Sequence, residues 1–162
     1  MDTNAFRFLY DYHFVENHNI WDMVDQLPLE QFIQPIQYSH GSVREQILHL
    51  MDVDDVWFSE LQDSIPLEPL PPTTSDDRLA IHQRWISIEN KMHGYLSKLK
   101  DSMLFKKPIM EPEEDRNLVV WQVLLHVINH GTDHRAQLLR ILHDLGVKTT
   151  SQDFIFYVYD HT

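Results

Sequence analysis

Residues 117–146 read NLVVWQVLLHVINHGTDHRAQLLRILHDLG and predict one long helix. This helix is expected to begin near Asn117 or Leu118. It is expected to stop at Gly146, because glycine is typical of the position that follows a helix C-terminus. Three more helices are predicted ahead of it in the sequence, so the fold class is expected to be all-α.

Two of these earlier helices are predicted from apolar residues that recur at spacings of three and four, as one buried helix face requires. One runs from about 3 to 27 and is ended by Pro28. The other runs from about 76 to 100, with Thr74 or Ser75 as its cap. The inward-facing residues expected of the first helix are Phe6, Leu9, Tyr10, Phe14, Ile20, Trp21 and Val24.

The remaining helix, second in chain order, has a clear start signal at Ser42. Ser42 and Glu45 fit a capping box, in which the serine hydroxyl accepts from the Glu45 amide and the Glu45 carboxylate accepts from the Ser42 amide. Pro66 bounds this helix. Its expected apolar face consists of Val43, Ile47, Leu50, Met51, Val53, Val56, Trp57 and Leu61.

A proline-rich segment, SIPLEPLPPTTS at 64–75, separates the second and third predicted helices. Such a segment favours an extended polyproline II conformation that rises ~3.1 Å per residue. About ten residues therefore reach ~30 Å, which matches the length of a helix of about 20 residues. We expect a crossover that leaves these two helices parallel, within a single four-helix bundle domain over residues 1–162.

Two other stretches have weaker patterns. FKKPIMEPEEDRN at 105–117 contains two prolines and is predicted to hold a short β-hairpin. The tail DFIFYVYD at 153–160 is β-prone and apolar on both faces. An exposed segment of this kind would be an aggregation hazard, so we expect it to pack against the bundle.

Three histidines, His126, His130 and His134, follow one another at intervals of four residues on the fourth predicted helix. Residues four apart share a helix face with Cβ atoms ~5–6 Å apart, so two neighbouring imidazoles can chelate one ion at ~2.0–2.1 Å. All three cannot easily bind the same ion, because the first and last are ~12 Å apart along the axis. The chelating pair is either His126 with His130 or His130 with His134.

The third ligand must come from another helix, and His49 stands alone among apolar residues in ILHLM. If the second and fourth helices are antiparallel, His49 lies ~10 Å from one end of the bundle, and His130 and His134 lie ~17–23 Å from the same end. His126 lies deeper and is expected to be outside the coordination shell or in a pocket wall. Trp57, two turns beyond His49 on a neighbouring face, is expected to line a cavity. Depth therefore favours His49, His130 and His134 as the metal ligands.

Each of these histidines also has a purely structural interpretation, as a core imidazole that donates to a backbone carbonyl. The remaining histidines are expected to be surface or packing residues: His13, His18, His40, His82, His93, His143 and His161.

The charge balance and the lack of cysteine limit the function. The formal net charge is −12, which disfavours direct binding of nucleic acid, since phosphates are contacted by Lys and Arg. Without cysteine, disulfides, thiolate ligands and a cysteine nucleophile are excluded. No leader or membrane-spanning stretch is recognisable, so a soluble cytoplasmic protein without membrane partners is expected.

SVREQILHL at 42–50 and HVINHGTDHRAQL at 126–138 resemble the DinB/YfiT-like family, as does the ending DFIFY at 153–157. The resemblance covers nearly the whole chain, with Ala136 replacing a glycine found in many members. It implies a four-helix bundle of up-down-down-up topology and a homodimer. It also implies a divalent ion, often Zn²⁺ or Ni²⁺, on three histidines with open positions for water. Those histidines fall on His49, His130 and His134.

Several functions remain open. A metal-dependent thiol S-transferase would need a low-molecular-weight thiol as cosubstrate, because the chain has no cysteine. A metal-hydroxide hydrolase would need a general base, which HGTDH lacks where HExxH supplies Glu. Asp52, Asp54 and Asp55 are candidates, although a solvated acidic face is their expected role. The alternatives are a non-catalytic metal-binding stress-response module and a plain bundle with structural histidines.

Overall fold

The computed structural model describes residues 1–161, which form α-helices and no strand. The all-α prediction is confirmed, and four of the helices are long. Over the described range, no helix has the length and apolar character needed to cross a membrane. The helices are α1 (Thr3–Val24), α2 (Leu29–Ile33), α3 (Val43–Glu60), α4 (Arg78–Lys98), α5 (Val120–Asp144) and α6 (Phe154–His161).

The predicted capping box at the start of α3 is confirmed. The Ser42 hydroxyl accepts from the Glu45 amide at 3.1 Å, and the Ser42 amide donates to Glu45 Oε2 at 3.0 Å. Two backbone amides that the helix itself leaves without partners are satisfied in this way. The cap fixes where α3 begins and therefore places His49 ~9 Å along its axis.

The predicted stop of α5 at Gly146 is also confirmed. Gly146 has a φ of +86°, a left-handed conformation that glycine adopts without a Cβ penalty. Its amide donates to the His143 carbonyl at 3.0 Å, and the Val147 amide donates to the Leu142 carbonyl at 2.9 Å. These bonds satisfy the last carbonyls of the helix.

The helix expected at 76–100 begins later, and its predicted cap is wrong. Asp77 occupies the N-cap position and makes no side-chain capping bond. Its carboxylate instead pairs with Arg44 of α3, at 2.6 Å. Neither Thr74 nor Ser75 therefore caps α4.

The expected β-hairpin at 105–117 is wrong. The connection between α4 and α5 contains two 3₁₀ turns, Asp101–Met103 and Glu113–Asp115. The first amides of α5 donate back to this connection, from Val120 to the Lys106 carbonyl (3.1 Å) and from Trp121 to the Leu104 carbonyl (3.0 Å).

The tail packs on the bundle as expected, but it is the helix α6 and not strand-like. Phe154 and Tyr157, three residues apart, both contact Tyr12 of α1, with ring centroids 5.1 and 5.6 Å away. A short apolar run has no decisive periodicity, so helix and strand are hard to separate in such a segment. Here the spacing of three places both rings against α1.

α3 and α4 run in the same direction, as their side-chain contacts show. Arg44 pairs with Asp77 at the start of both helices, and the rings of Phe58 and Tyr95 lie 5.5 Å apart near their ends. The proline-rich linker between the helices is held by side chains of both. For example, Arg44 Nη2 donates to the Pro71 carbonyl at 2.8 Å.

α5 is antiparallel to α3, because Gln46 donates to Gln137 (2.8 Å) while Trp57 lies against His126 (5.2 Å between centroids). His49 of α3 is thereby brought level with the second half of α5. The helix directions are compatible with the up-down-down-up topology, which stays a prediction in its full detail.

The expected solvated acidic face on the second predicted helix is wrong. Asp54 and Asp55 are 0% and 1% exposed, while Val56 beside them faces solvent. The buried carboxylates are tolerated because partners from other helices compensate them. Each of the three acidic residues has a basic partner: Asp54 with His13 (3.1 Å), Asp55 with Lys91 (2.8 Å) and Asp52 with Arg84 (2.7 Å).

A buried polar network around Arg135 joins α5 to α1 and α3. Arg135 Nη1 donates to His13 Nδ1 (3.1 Å) and to Asn17 Oδ1 (2.8 Å). Arg135 Nε donates to Gln152 Oε1 at 3.1 Å. Because His13 accepts at Nδ1, its proton lies on Nε2, which donates to Asp54 Oδ2 at 3.1 Å. The expectation that His13 is a surface or packing residue understates its role, since it links the two charges.

α1 and α5 approach each other closely at Gly131. A Cβ at this position would lie 2.5 Å from Cε1 and 2.8 Å from Nδ1 of His13, and 2.9 Å from Nη1 of Arg135. Only glycine leaves space for the imidazole and the guanidinium.

Gly131→Ala should therefore lower the free energy of unfolding by ~1–3 kcal/mol, as overpacking a tight core does. The matched control is Gly94→Ala on α4, where an added Cβ meets no atom within 4 Å. That variant should gain ~0.5–1 kcal/mol, because alanine has the better helix propensity. Urea unfolding of both variants measures the difference, and equal effects would contradict the proposed close approach.

Candidate metal centre

The histidines predicted as ligands lie together in one cluster between α3 and α5. The Nε2 atoms of His49 and His130 are 3.1 Å apart. The ring centroid of His134 lies 4.6 Å from that of His49 and 4.2 Å from that of His130. His49 and His130 are half-buried, and His134 is buried at 8% exposure. α3 thus supplies one imidazole and α5 supplies two on one face.

A further histidine, His40, joins this cluster from the loop between α2 and α3. Its ring stacks on His49, with centroids 3.6 Å apart and planes 18° apart, and lies 5.2 Å from His134. His40, His49 and His134 each offer one ring nitrogen, and these three nitrogens lie within 4.8 Å of one another. His40 was expected to be a surface or packing residue, and its contact with the other histidines was not predicted. The one available signal is its place two residues before the cap of α3.

His126 lies at the edge of the cluster, exposed to solvent. Its ring centroid is 5.9 Å from that of His130 and 5.2 Å from that of Trp57. This is the neighbourhood expected of a wall residue beside the site.

The pKa values of three of these imidazoles, those of His49, His130 and His134, are lowered, which favours their neutral form. Burial, together with the neighbouring His40 and His134, lowers the pKa of His49 to about 4. Burial, together with His134 and His49, lowers the pKa of His130 to about 3. The pKa of His134 is lowered as well, mainly by burial. Unprotonated nitrogens are what a metal ion requires of histidine ligands.

Two nitrogens of the cluster have no hydrogen-bond partner within residues 1–161. His130 Nδ1 and His134 Nδ1 are buried and make no hydrogen bond to the described residues. Burying an imidazole nitrogen without a partner is unfavourable, and most buried polar atoms avoid it. His130 Nδ1 is not the atom that faces His49, so an ion held between the two Nε2 atoms would leave it without a partner.

The spacing of the nitrogens also fits a divalent ion. Two nitrogens bound at ~2.0–2.1 Å lie roughly 2.9–3.4 Å apart at angles between square and tetrahedral, and the His49–His130 pair is at 3.1 Å. The same distance suits a hydrogen bond between the two imidazoles. Nitrogen donors suit Zn²⁺, Ni²⁺, Cu²⁺ and Fe²⁺, whereas Ca²⁺ and Mg²⁺ prefer oxygen.

An all-α bundle with a histidine cluster able to hold a divalent ion is the class of protein that this structure defines. The chain belongs to the DinB family, whose model matches residues 1–161. It is similar to Protein DinB of Bacillus subtilis (strain 168), with 25% identity over 98% of this chain and 96% of that protein.

The lowered pKa values predict how stability depends on pH in the metal-free protein. In the unfolded chain the pKa of a histidine is ~6.5. Below that pH the unfolded state therefore binds protons that His49 and His130 do not bind in the folded state. The free energy of unfolding should therefore fall as pH falls from about 6.5 to about 4. His130→Gln removes one such group and should flatten this dependence. Denaturant titrations of chelator-treated protein test it, and an unchanged pH dependence in the variant would contradict the assignment.

Proposed function

We propose that the chain is a divalent-metal-binding protein whose ion is held by His49, His130 and His134, with Zn²⁺ or Ni²⁺ as the best candidates. The observation that carries the proposal is the convergence of imidazoles with lowered pKa values from α3 and α5. The pair His130 and His134 is preferred over His126 and His130, because His126 is exposed and His134 is closer to His49.

For the reaction, we propose transfer to a low-molecular-weight thiol. When bound, the ion would supply a Lewis acid that favours the ionised form of a thiol. The thiol must come from a cosubstrate, because the chain has no cysteine. In the reaction a bond forms between sulfur and an electrophilic carbon, the bond from that carbon to its leaving group breaks, and the thiol proton passes to solvent.

We prefer this reaction to hydrolysis for one reason. Hydrolysis needs a general base near the site, and the candidate carboxylates Asp52, Asp54 and Asp55 each pair with a basic side chain elsewhere. A thiol loses its proton more readily than water does, so thiol transfer depends less on a general base. The second candidate function, a non-catalytic metal-binding stress-response module, requires the ion and the same ligands but no turnover.

Two properties follow from the family resemblance and the composition, and both stay predictions. Homodimer formation is one of them, and light scattering at working concentration checks it. A cytoplasmic location without nucleic-acid partners is the other, in line with the net charge of −12.

Metal content of reloaded variants should identify the ligands. His130→Ala should abolish stoichiometric binding, since His130 belongs to either possible pair. His134→Ala should remove the ion, and His126→Ala, as the matched control on the same helix, should keep much of it. The measurement is mass spectrometry of the metal per chain after chelation, reloading and desalting.

Two outcomes would contradict the ligand assignment. Loss of metal in His126→Ala with retention in His134→Ala would select the other pair. Wild-type metal content in all three variants would refute a metal site on α5 altogether.

Turnover should separate the transferase from the non-catalytic module. Reloaded wild-type protein should accelerate the reaction of a small thiol such as cysteine or 2-mercaptoethanol with monobromobimane, measured by fluorescence. His134→Ala should lose the acceleration, and chelation should abolish it. A fully loaded protein that accelerates no thiol reaction in such a panel would favour the non-catalytic module.

A further inference from the structure

We infer that His40 is a fourth nitrogen ligand, which the loop between α2 and α3 places over the site and which closes it in the resting protein. This inference rests on the proposed metal site. It goes beyond it, because the family resemblance implies three histidines from two helices and none from this loop.

The position of His40 supports a ligand role. Its nitrogen is one of three, with those of His49 and His134, that lie within 4.8 Å of one another. Two nitrogens on opposite sides of one ion would be ~4.0–4.2 Å apart at ordinary bond lengths. A small rotation of exposed His40 therefore brings its nitrogen within reach of an ion that His49 and His134 also contact.

The backbone on both sides of His40 is built for this position. Ser39 has a φ of +52°, which is uncommon for a residue other than glycine, and Gly41 has a φ of +98°. A Cβ on Gly41 would lie 2.7 Å from Glu45 Oε2, the oxygen that caps α3. The Ile36 amide also donates to the Gly41 carbonyl and closes the loop. The loop is therefore held in one conformation at the mouth of the cluster.

Gln46 ties this loop to both helices that carry the other ligands. Its fully buried side chain accepts from the His40 amide at 3.3 Å and from the Ser39 hydroxyl at 3.1 Å. Its Nε2 donates at 2.8 Å to Gln137 Oε1, one turn from His134 on α5. Gln137 in turn donates to Asp133 at 3.0 Å. A loop that only covered the bundle end would not need a buried amide to fix the backbone of one exposed histidine.

The exposure of His40 also makes it the ligand that an incoming thiol would replace. It is the exposed member of the cluster, whereas His134 is buried and His49 and His130 are half-buried. An incoming thiol therefore meets His40 first and would take its place. The loop thus controls access to the proposed site.

The test uses Co²⁺ and Zn²⁺ added to the metal-free full-length chain. The variants are His40→Phe, which keeps a ring to stack on His49 but has no nitrogen, His40→Ala, and the control His143→Ala at the exposed end of α5. The readouts are the number of ions per chain, the dissociation constant by chelator competition, and the visible absorption of bound Co²⁺.

Both His40 variants should still bind one ion per chain, with a dissociation constant at least ~10-fold higher than that of wild type. Even residues behind the ligands cost 10–100-fold in affinity, so a direct ligand should cost no less. The Co²⁺ spectrum should change in both variants, because a nitrogen donor is lost. His143→Ala should match wild type in all three readouts.

Wild-type affinity and spectrum in His40→Phe and His40→Ala would overturn the role of His40 and leave the three-histidine site intact. Weaker binding in His40→Ala alone, with wild-type behaviour in His40→Phe, would reduce His40 to a stacking residue and also overturn it. Absence of binding in wild type would instead refute the metal site itself.

Discussion

The packing of α1, α3 and α5 depends on the hydrogen bonds that compensate the buried guanidinium of Arg135. A charged group without solvent is strongly unfavourable unless other groups compensate it, and burial lowers the pKa of this arginine. Compensation comes from Asn17 and His13 on α1, and through His13 from Asp54 on α3. These partners meet only in one register of the three helices. The network therefore favours the packing that places His134, the residue before Arg135, opposite His49.

Two pairs of residues spaced four apart explain why so much chemistry is concentrated in two turns of α5. His130 and His134 face α3, whereas Gly131 and Arg135, each ~100° further round the helix, face α1. The first pair offers nitrogens to the cluster, and the second admits His13 and binds it. A change on the α1 side therefore acts on the histidine cluster through the position of the helix, without touching an imidazole.

Features encoded by local chemistry could be predicted from the sequence, and features that depend on the path of distant segments could not. The capping box at Ser42 and the stop at Gly146 follow from backbone hydrogen bonding within a few residues. The facing of His130 and His134 follows from helix periodicity alone. The position of His49 near this pair could be predicted because it is the one histidine among the apolar residues of the second predicted helix.

The missed features have a common cause in partners that are distant in sequence. The burial of Asp54 and Asp55 depends on His13 and Lys91, which lie on other helices. Hydrophobic periodicity carries no information about such partners, so an acidic triplet looks like a solvated face. The contact of His40 with the cluster depends on left-handed backbone at Ser39 and Gly41 and on the amide of Gln46, a combination that no motif announces.

The histidine cluster lowers the stability of the metal-free fold, and the packing of the other residues offsets this loss. The pKa values of His49 and His130 are lowered, and two buried nitrogens of the cluster have no hydrogen-bond partner within residues 1–161. A ligand that binds only the folded state would turn this loss into a gain in stability, because its binding free energy adds to that of folding. The gradient of exposure, from buried His134 to exposed His40, marks the side from which such a ligand would enter. Entry past the loop would let an ion reach His134 without opening the helices that the Arg135 network holds together.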